Sequence, residues 1–144
     1  MRLPLITVAL RRENDLLLAR QRARQITQLL GFSMGDSTRV TTAVAEIARN
    51  AVTYGGGGTV AFFVEDEPHG RQALAVHIAD KGPGVTQLAT ILAGEYGSNT
   101  GMGKGITGSR ALMDRFQVET NPGAGTRVLM SKMLPRSAPG LVST

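Results

Sequence analysis

Ala73-Leu-Ala-Val-His-Ile-Ala-Asp-Lys-Gly-Pro-Gly84 is the stretch that decides how this chain reads. Residues 73–79 are apolar enough, and short enough, to form a strand. Asp80 closes that strand, and Gly82, Pro83 and Gly84 turn the chain away from it. A carboxylate at a strand end, beside glycines that let a ligand approach the backbone, can accept a hydrogen bond from a ligand amino group. The same residues also fit an ordinary Asp-Gly turn. What flanks them has to decide.

Upstream, Thr59 to Glu65 reads as the strand paired with 73–79. The polar link 66–72, holding Pro68 and Gly70, suits a hairpin connection. Before it, Val40, Val44, Ile47, Ala51 and Tyr54 recur at helical spacing, with Asp36 or Ser37 available as N-cap and Gly55 to Gly58 as the stop. An earlier helix carries Leu16, Ala19, Ala23, Ile26 and Leu30, with Gly31 placed as a C-cap glycine. Leu5 to Leu10 reads as a first strand. Downstream, residues 85–100 are mixed, Ser109 to Phe116 is helical, and Gln117 to Thr120 with Thr126 to Leu134 form a closing hairpin. The order β-α-α-β-β-α-β-β predicts a two-layer α/β sandwich, about three helices on one face of a mixed β-sheet. Residues 1–134 form one domain in this reading, and the Pro- and Ser-rich 135–144 a flexible tail.

Bulk properties narrow the classes of function. The chain has 144 residues, one domain's worth, and no Cys, so disulfides and thiolate metal sites are excluded and a reducing cytoplasm fits. No apolar run approaches the ~18 residues that span a membrane. The net charge of +5 comes from scattered arginines, with one denser group at Arg20, Arg22 and Arg24. Aromatic residues do not alternate with basic ones, as a single-strand binder requires, so nucleic acid is disfavoured as a partner. The 18 glycines cluster at 55–58, 82–84, 101–108 and 123–125, marking turns and close backbone approaches rather than low complexity. His69 in a turn and His77 in a strand do not make a metal site.

Two further segments carry chemistry. In Glu46-Ile-Ala-Arg-Asn50, Glu46 and Asn50 share one helix face and border the apolar stripe. A carboxylate there can take a proton from an attacking hydroxyl, and an amide oxygen can bind Mg²⁺. Taken alone, the segment reads more simply as a solvated Glu and an amide in a helix's last turns. In Gly101-Met-Gly-Lys-Gly105, running into Ile106-Thr-Gly-Ser-Arg110, glycines before a helix form an anion site, and Lys104 adds a point charge. Gly103 to Gly108 matches a dinucleotide-binding pattern on paper, but no strand precedes it. Ser98 and Gly105 break the Walker pattern. The motifs of the eukaryotic kinases are missing, and the chain is too short for that fold.

In this order and spacing, the three segments resemble the ATP-binding domain shared by gyrase, the Hsp90 chaperone, histidine kinases and MutL. The likeness runs from about residue 5 to 134. Within that group, Thr41 to Asn50 and Gly101 to Phe116 look most like the RsbT-type serine kinases of bacterial stressosomes, with RsbW-type anti-sigma kinases next. The resemblance implies ATP and Mg²⁺ as cofactors and a protein serine/threonine kinase activity. It implies Glu46 as general base and Asn50 as the Mg²⁺ ligand. Asp80 would read adenine, with Gly82 and Gly84 admitting the base and Thr126 assisting through water. Gly101, Met102, Gly103, Lys104 and Gly105 would belong to a lid over the triphosphate, spanning roughly 94–105. The partners implied are STAS-domain antagonist and scaffold proteins, with a downstream phosphatase or a sigma factor as further binders. Two other readings are a sigma-holding kinase and an ATP-sensing module that transfers no phosphate.

Overall fold

The computed structural model describes residues 2–82, 102–121 and 125–135, with the side chains of 102–105 and 121 left out. The readings placed on Gly84, Gly101, residues 94–101 of the lid and the tail from 136 onward lie outside them. In chain order the elements are β1 (Arg2–Leu10), α1 (Glu13–Leu29), α2 (Met34–Thr53), β2 (Gly58–Asp66), β3 (Gln72–Asp80), α3 (Met102–Leu112), β4 (Arg115–Asn121) and β5 (Gly125–Met133). A 3-10 turn at Pro68–Gly70 joins β2 to β3.

The layers are as expected: helices on one face of a five-stranded sheet of order β1-β2-β3-β5-β4. The sheet is not mixed. All four pairings among the described strands are antiparallel. The reason is topological. The link between β1 and β2 is a pair of helices that returns the chain to the end where it left, and β5 comes back along β3 after β4 has turned into it.

Alternation along each strand sends one set of side chains into the core. Val60, Phe62 and Val64 of β2, Leu74, Val76 and Ile78 of β3, and Val128 and Met130 of β5 meet Ala19 and Ala23 of α1 and Val40, Val44, Ile47 and Ala51 of α2. The α2 stripe is the predicted one up to Ala51, and alanines at 19 and 23 let α1 lie close beside α2. Gly31 takes the left-handed conformation, φ 82°, that a residue just past a helix C-terminus often needs.

Three boundaries differ from expectation. The N-cap of α2 is Ser33, whose hydroxyl accepts from the Asp36 amide at 3.1 Å. Ser37 is instead buried and hydrogen-bonded to the Thr27 hydroxyl at 2.6 Å, tying α2 to α1. Helix α3 begins at Met102, seven residues early, so the end of the presumed lid, 102–105, is helical backbone. Its glycines each cost about 1 kcal/mol of helix propensity and hide the helix in sequence. Burial of Ile106, Ser109 and Met113, the last just beyond its end, holds it in place. Phe116 belongs to β4, where it packs partly buried against the core.

No helix among the described residues is long and apolar enough to cross a membrane.

Candidate nucleotide site

Three chain segments converge on Asp80. The end of β3 carries it, the glycine run after α2 lies against it, and the start of β5 faces it. Gly82 N–H donates to Asp80 Oδ1 at 2.8 Å, closing a tight turn, and Thr126 N–H donates to the same oxygen at 3.3 Å. Among the described residues no donor reaches Oδ2. One carboxylate oxygen is therefore fixed by backbone, and the other is left to accept.

The glycines explain how the carboxylate is seated. A Cβ on Gly55 would stand 2.6 Å from the Asp80 Cβ and 2.7 Å from Oδ1. A Cβ on Gly82 would stand 2.5 Å from the Gly55 Cα. Gly125, at φ 109°, would drive a side chain into the Asp80 carbonyl oxygen. Sequence reading placed Asp80, Gly82 and Thr126 in the site but saw Gly55 and Gly125 only as members of turn clusters. Their role depends on register, since Gly58 pairs with Asp80 across β2 and β3. Replacing Gly55 with Ala is expected to displace the Asp80 carboxyl at an overpacking cost of about 1–3 kcal/mol. Nucleotide titration should then show weakened binding while the helical circular dichroism signal persists.

Helix α2 delivers the second group of residues. Asn50 stands five residues before Gly55, and its carbonyl accepts from the Tyr54 amide at 2.9 Å. Its side-chain Nδ2 is buried with no hydrogen-bond partner among the described residues. A buried amide end without a partner is costly in a finished core. The amide's oxygen and nitrogen exchange places by one rotation, so this position suits an oxygen directed at a cation. Glu46, one turn earlier, is 41% exposed, and its Oε1 lies 3.6 Å from the Arg49 guanidinium. That exposed i,i+3 ion pair contributes little to stability and leaves the carboxylate open to solvent. The described residues contain no cluster of three His, Cys, Asp or Glu side chains suited to a metal.

Helix α3 starts at Met102 and packs against α2. Gly103, Lys104 and Gly105 fall in its first turn, where free backbone N–H groups gather. The reading of this segment as an anion site therefore rests on a helix N-terminus.

Comparison with known proteins identifies the family. The pattern of the histidine kinase-like ATPase domain matches residues 10–132. The chain belongs to the histidine kinase-like ATPase family. It is 33% identical over 122 residues to the serine/threonine-protein kinase RsbT of Bacillus subtilis, a match covering 85% of this chain and 91% of that one. It is 29% identical over 101 residues to the anti-sigma F factor of Clostridium acetobutylicum, covering 65% and 67%. Among solved structures, the RsbU and RsbW domains of a Mycobacterium tuberculosis protein superpose with a TM-score of 0.63 at 18% identity, over 99% of this chain and 35% of that one. The SiaB-SiaC complex of Pseudomonas aeruginosa superposes with a TM-score of 0.54 at 9% identity, over 91% of each chain. Both structures share the fold of this family member.

Proposed function

We propose that this member of the histidine kinase-like ATPase family is a protein serine/threonine kinase. It would transfer the ATP γ-phosphoryl group to a Ser or Thr hydroxyl on STAS-domain antagonist and scaffold proteins, in a bacterial partner-switching pathway of the cytoplasm. The observation that carries this is the match to RsbT over nearly its full length. The pairing of Glu46 with Asn50 on the last turns of α2 agrees with it.

Each residue then has a task. Asp80 Oδ2 accepts from the adenine amino group, while Gly55, Gly82 and Gly125 keep the space around that carboxylate clear. Thr126, fixed through its amide to Asp80, stands beside the base. Asn50 holds Mg²⁺ through its amide oxygen, and the ion supplies charge neutralisation on the phosphates. The N-terminal turn of α3, with Gly103, Lys104 and Gly105, offers backbone N–H groups and one cation to the phosphates, together with Gly101 and Met102. Gly84 lets the base approach. Glu46 accepts the proton of the incoming hydroxyl as its oxygen bonds to phosphorus and the bond to the ADP oxygen breaks. Positioning and charge do most of the work in such transfers, which suits a small site with no deep nucleophile.

The anti-sigma F factor match favours a second reading, in which the same kinase also holds a sigma factor. Intact-mass spectrometry separates the outcomes. The chain is mixed with Mg-ATP and a STAS-domain protein encoded beside it. One phosphate gained by the partner, and lost with Glu46→Ala, is the expected result. Measurable ATP binding with no transfer to any such protein would refute the kinase reading and leave a nucleotide-gated binding module.

A further inference from the structure

Lys132, near the end of β5, has a side chain only 12% exposed, and lysine is seldom buried so far unless it is paired. Its Nζ donates at 2.9 Å to the carbonyl oxygen of Leu112, the last residue of α3. The same amine lies 3.6 Å from Asp114 Oδ1, just beyond α3, and 3.8 Å from Asp36 Oδ1, in the first turn of α2. Asp114 is itself fixed to β5. Its amide donates to the Ser131 carbonyl at 3.0 Å, and its Oδ2 accepts from the Met133 amide at 2.7 Å. One largely buried cation therefore joins the C-terminus of α3, the N-terminus of α2 and the end of β5.

These three elements meet again, by their opposite ends, at the candidate nucleotide site. Helix α2 runs from Asp36 to Asn50, α3 runs back from Met102 to Leu112, and β5 runs from Thr126, beside Asp80, to Lys132. Six residues of strand separate Thr126 from Lys132, roughly 20 Å, too far for the amine to touch a ligand there. We infer that Lys132 is a positioning residue: through its hold on Leu112 it sets the tilt of α3, and so the place of the first turn that meets the ATP phosphates. The inference rests on the reading of α3 under the proposed function.

Charge explains why an amine stands here. The C-terminal carbonyls of α3 carry the negative end of the helix dipole, and Asp114 and Asp36 bring two carboxylates to the same place. Without the amine, three negative groups face one another, and the end of α3 is pushed away from α2. Length turns that into an effect at the site. Eleven residues make a helix about 16 Å long, so a tilt of about 4° about Leu112 moves the first turn by about 1 Å. A displacement of that size spoils a positioned contact. Burial of Ile106 and Met113 holds α3 by apolar packing, which is non-directional, and the buried Ser109 hydroxyl has no hydrogen-bond partner among the described residues. The bond from Lys132 to Leu112 is directional.

Isothermal titration of the full chain with Mg-ATP, and separately with adenosine, tests this. Adenosine reports the Asp80 end alone, and ATP reports both ends. Lys132→Met keeps the aliphatic stem and removes the amine. It should weaken ATP about tenfold and leave adenosine within about twofold, whereas a general loss of structure would weaken both alike. Lys132→Arg should restore ATP affinity, because a cavity of about 350 Å³ lined by Ser33, Asp36, Asp114 and Leu134 leaves room for the larger cation. Asp36→Asn, at a side chain 38% exposed, should stay folded and weaken ATP alone by about threefold, and it decides the matter if Lys132→Met does not fold. Unchanged ATP affinity, an equal loss for both ligands, or an arginine variant as weak as the methionine one overturns the inference. A parent chain that binds ATP no better than adenosine refutes the phosphate reading of α3 and the inference with it, and that failure shows before any substitution is made.

Discussion

Asp80→Asn should abolish most nucleotide affinity without disturbing the fold. The substitution keeps the shape of the side chain, and its remaining oxygen can still accept from Gly82 and Thr126, the two amides that hold Oδ1. That anchoring directs the new NH₂ group to the position of Oδ2. A donor then faces the adenine amino group, itself a donor. The hydrogen bond is lost, and two polar groups are left facing each other unpaired. Losing a hydrogen bond to a charged group costs about 1.5–3 kcal/mol, or roughly 10- to 150-fold in affinity. Isothermal titration with ATP measures it, alongside a thermal melt that should not move. Unchanged affinity would remove Asp80 from adenine recognition.

The Asp80 site shows which parts of this molecule the sequence discloses. The strand 73–79 and the carboxylate at its end are local features, visible through a short apolar run and a turn. The stripe of α2 is equally local, which is why Glu46 and Asn50 could be placed at the border of the core. Gly55 and Gly125 are different. Nothing near Gly55 in sequence says that it touches Asp80, because the contact is made by the pairing of Gly58 with Asp80 and by the return of β5 beside β3. The strand directions were hidden for the same reason. Alternation reports which face a residue takes, not which way its neighbour runs, and only two of the four pairings are closed by a short hairpin. Helix α3 was half concealed because three glycines argue locally against the helix that packing on α2 imposes.

Glu46→Ala is the second large effect, and it should separate chemistry from binding. The side chain is 41% exposed on α2 and makes a loose ion pair with Arg49. Removing it deletes little packing, and alanine is the best helix former, so stability should stay within about 0.5 kcal/mol of the parent. ATP affinity should also hold, since the proposed adenine contact is that of Asp80, and the phosphates are proposed to meet α3 and the Mg²⁺ that Asn50 would hold. Transfer to the partner hydroxyl should fall by the roughly 10²–10⁴-fold that a positioned general base contributes. Single-turnover transfer at saturating ATP, read by intact mass, is the deciding measurement. A parallel loss of ATP affinity would place Glu46 among the binding groups instead. Full activity would mean that the acceptor hydroxyl loses its proton elsewhere. The contrast with Asp80→Asn is the sharper check. One variant should bind and not transfer, the other should fail to bind, and a pair of variants failing in the same way would contradict the division of labour between the end of α2 and the end of β3.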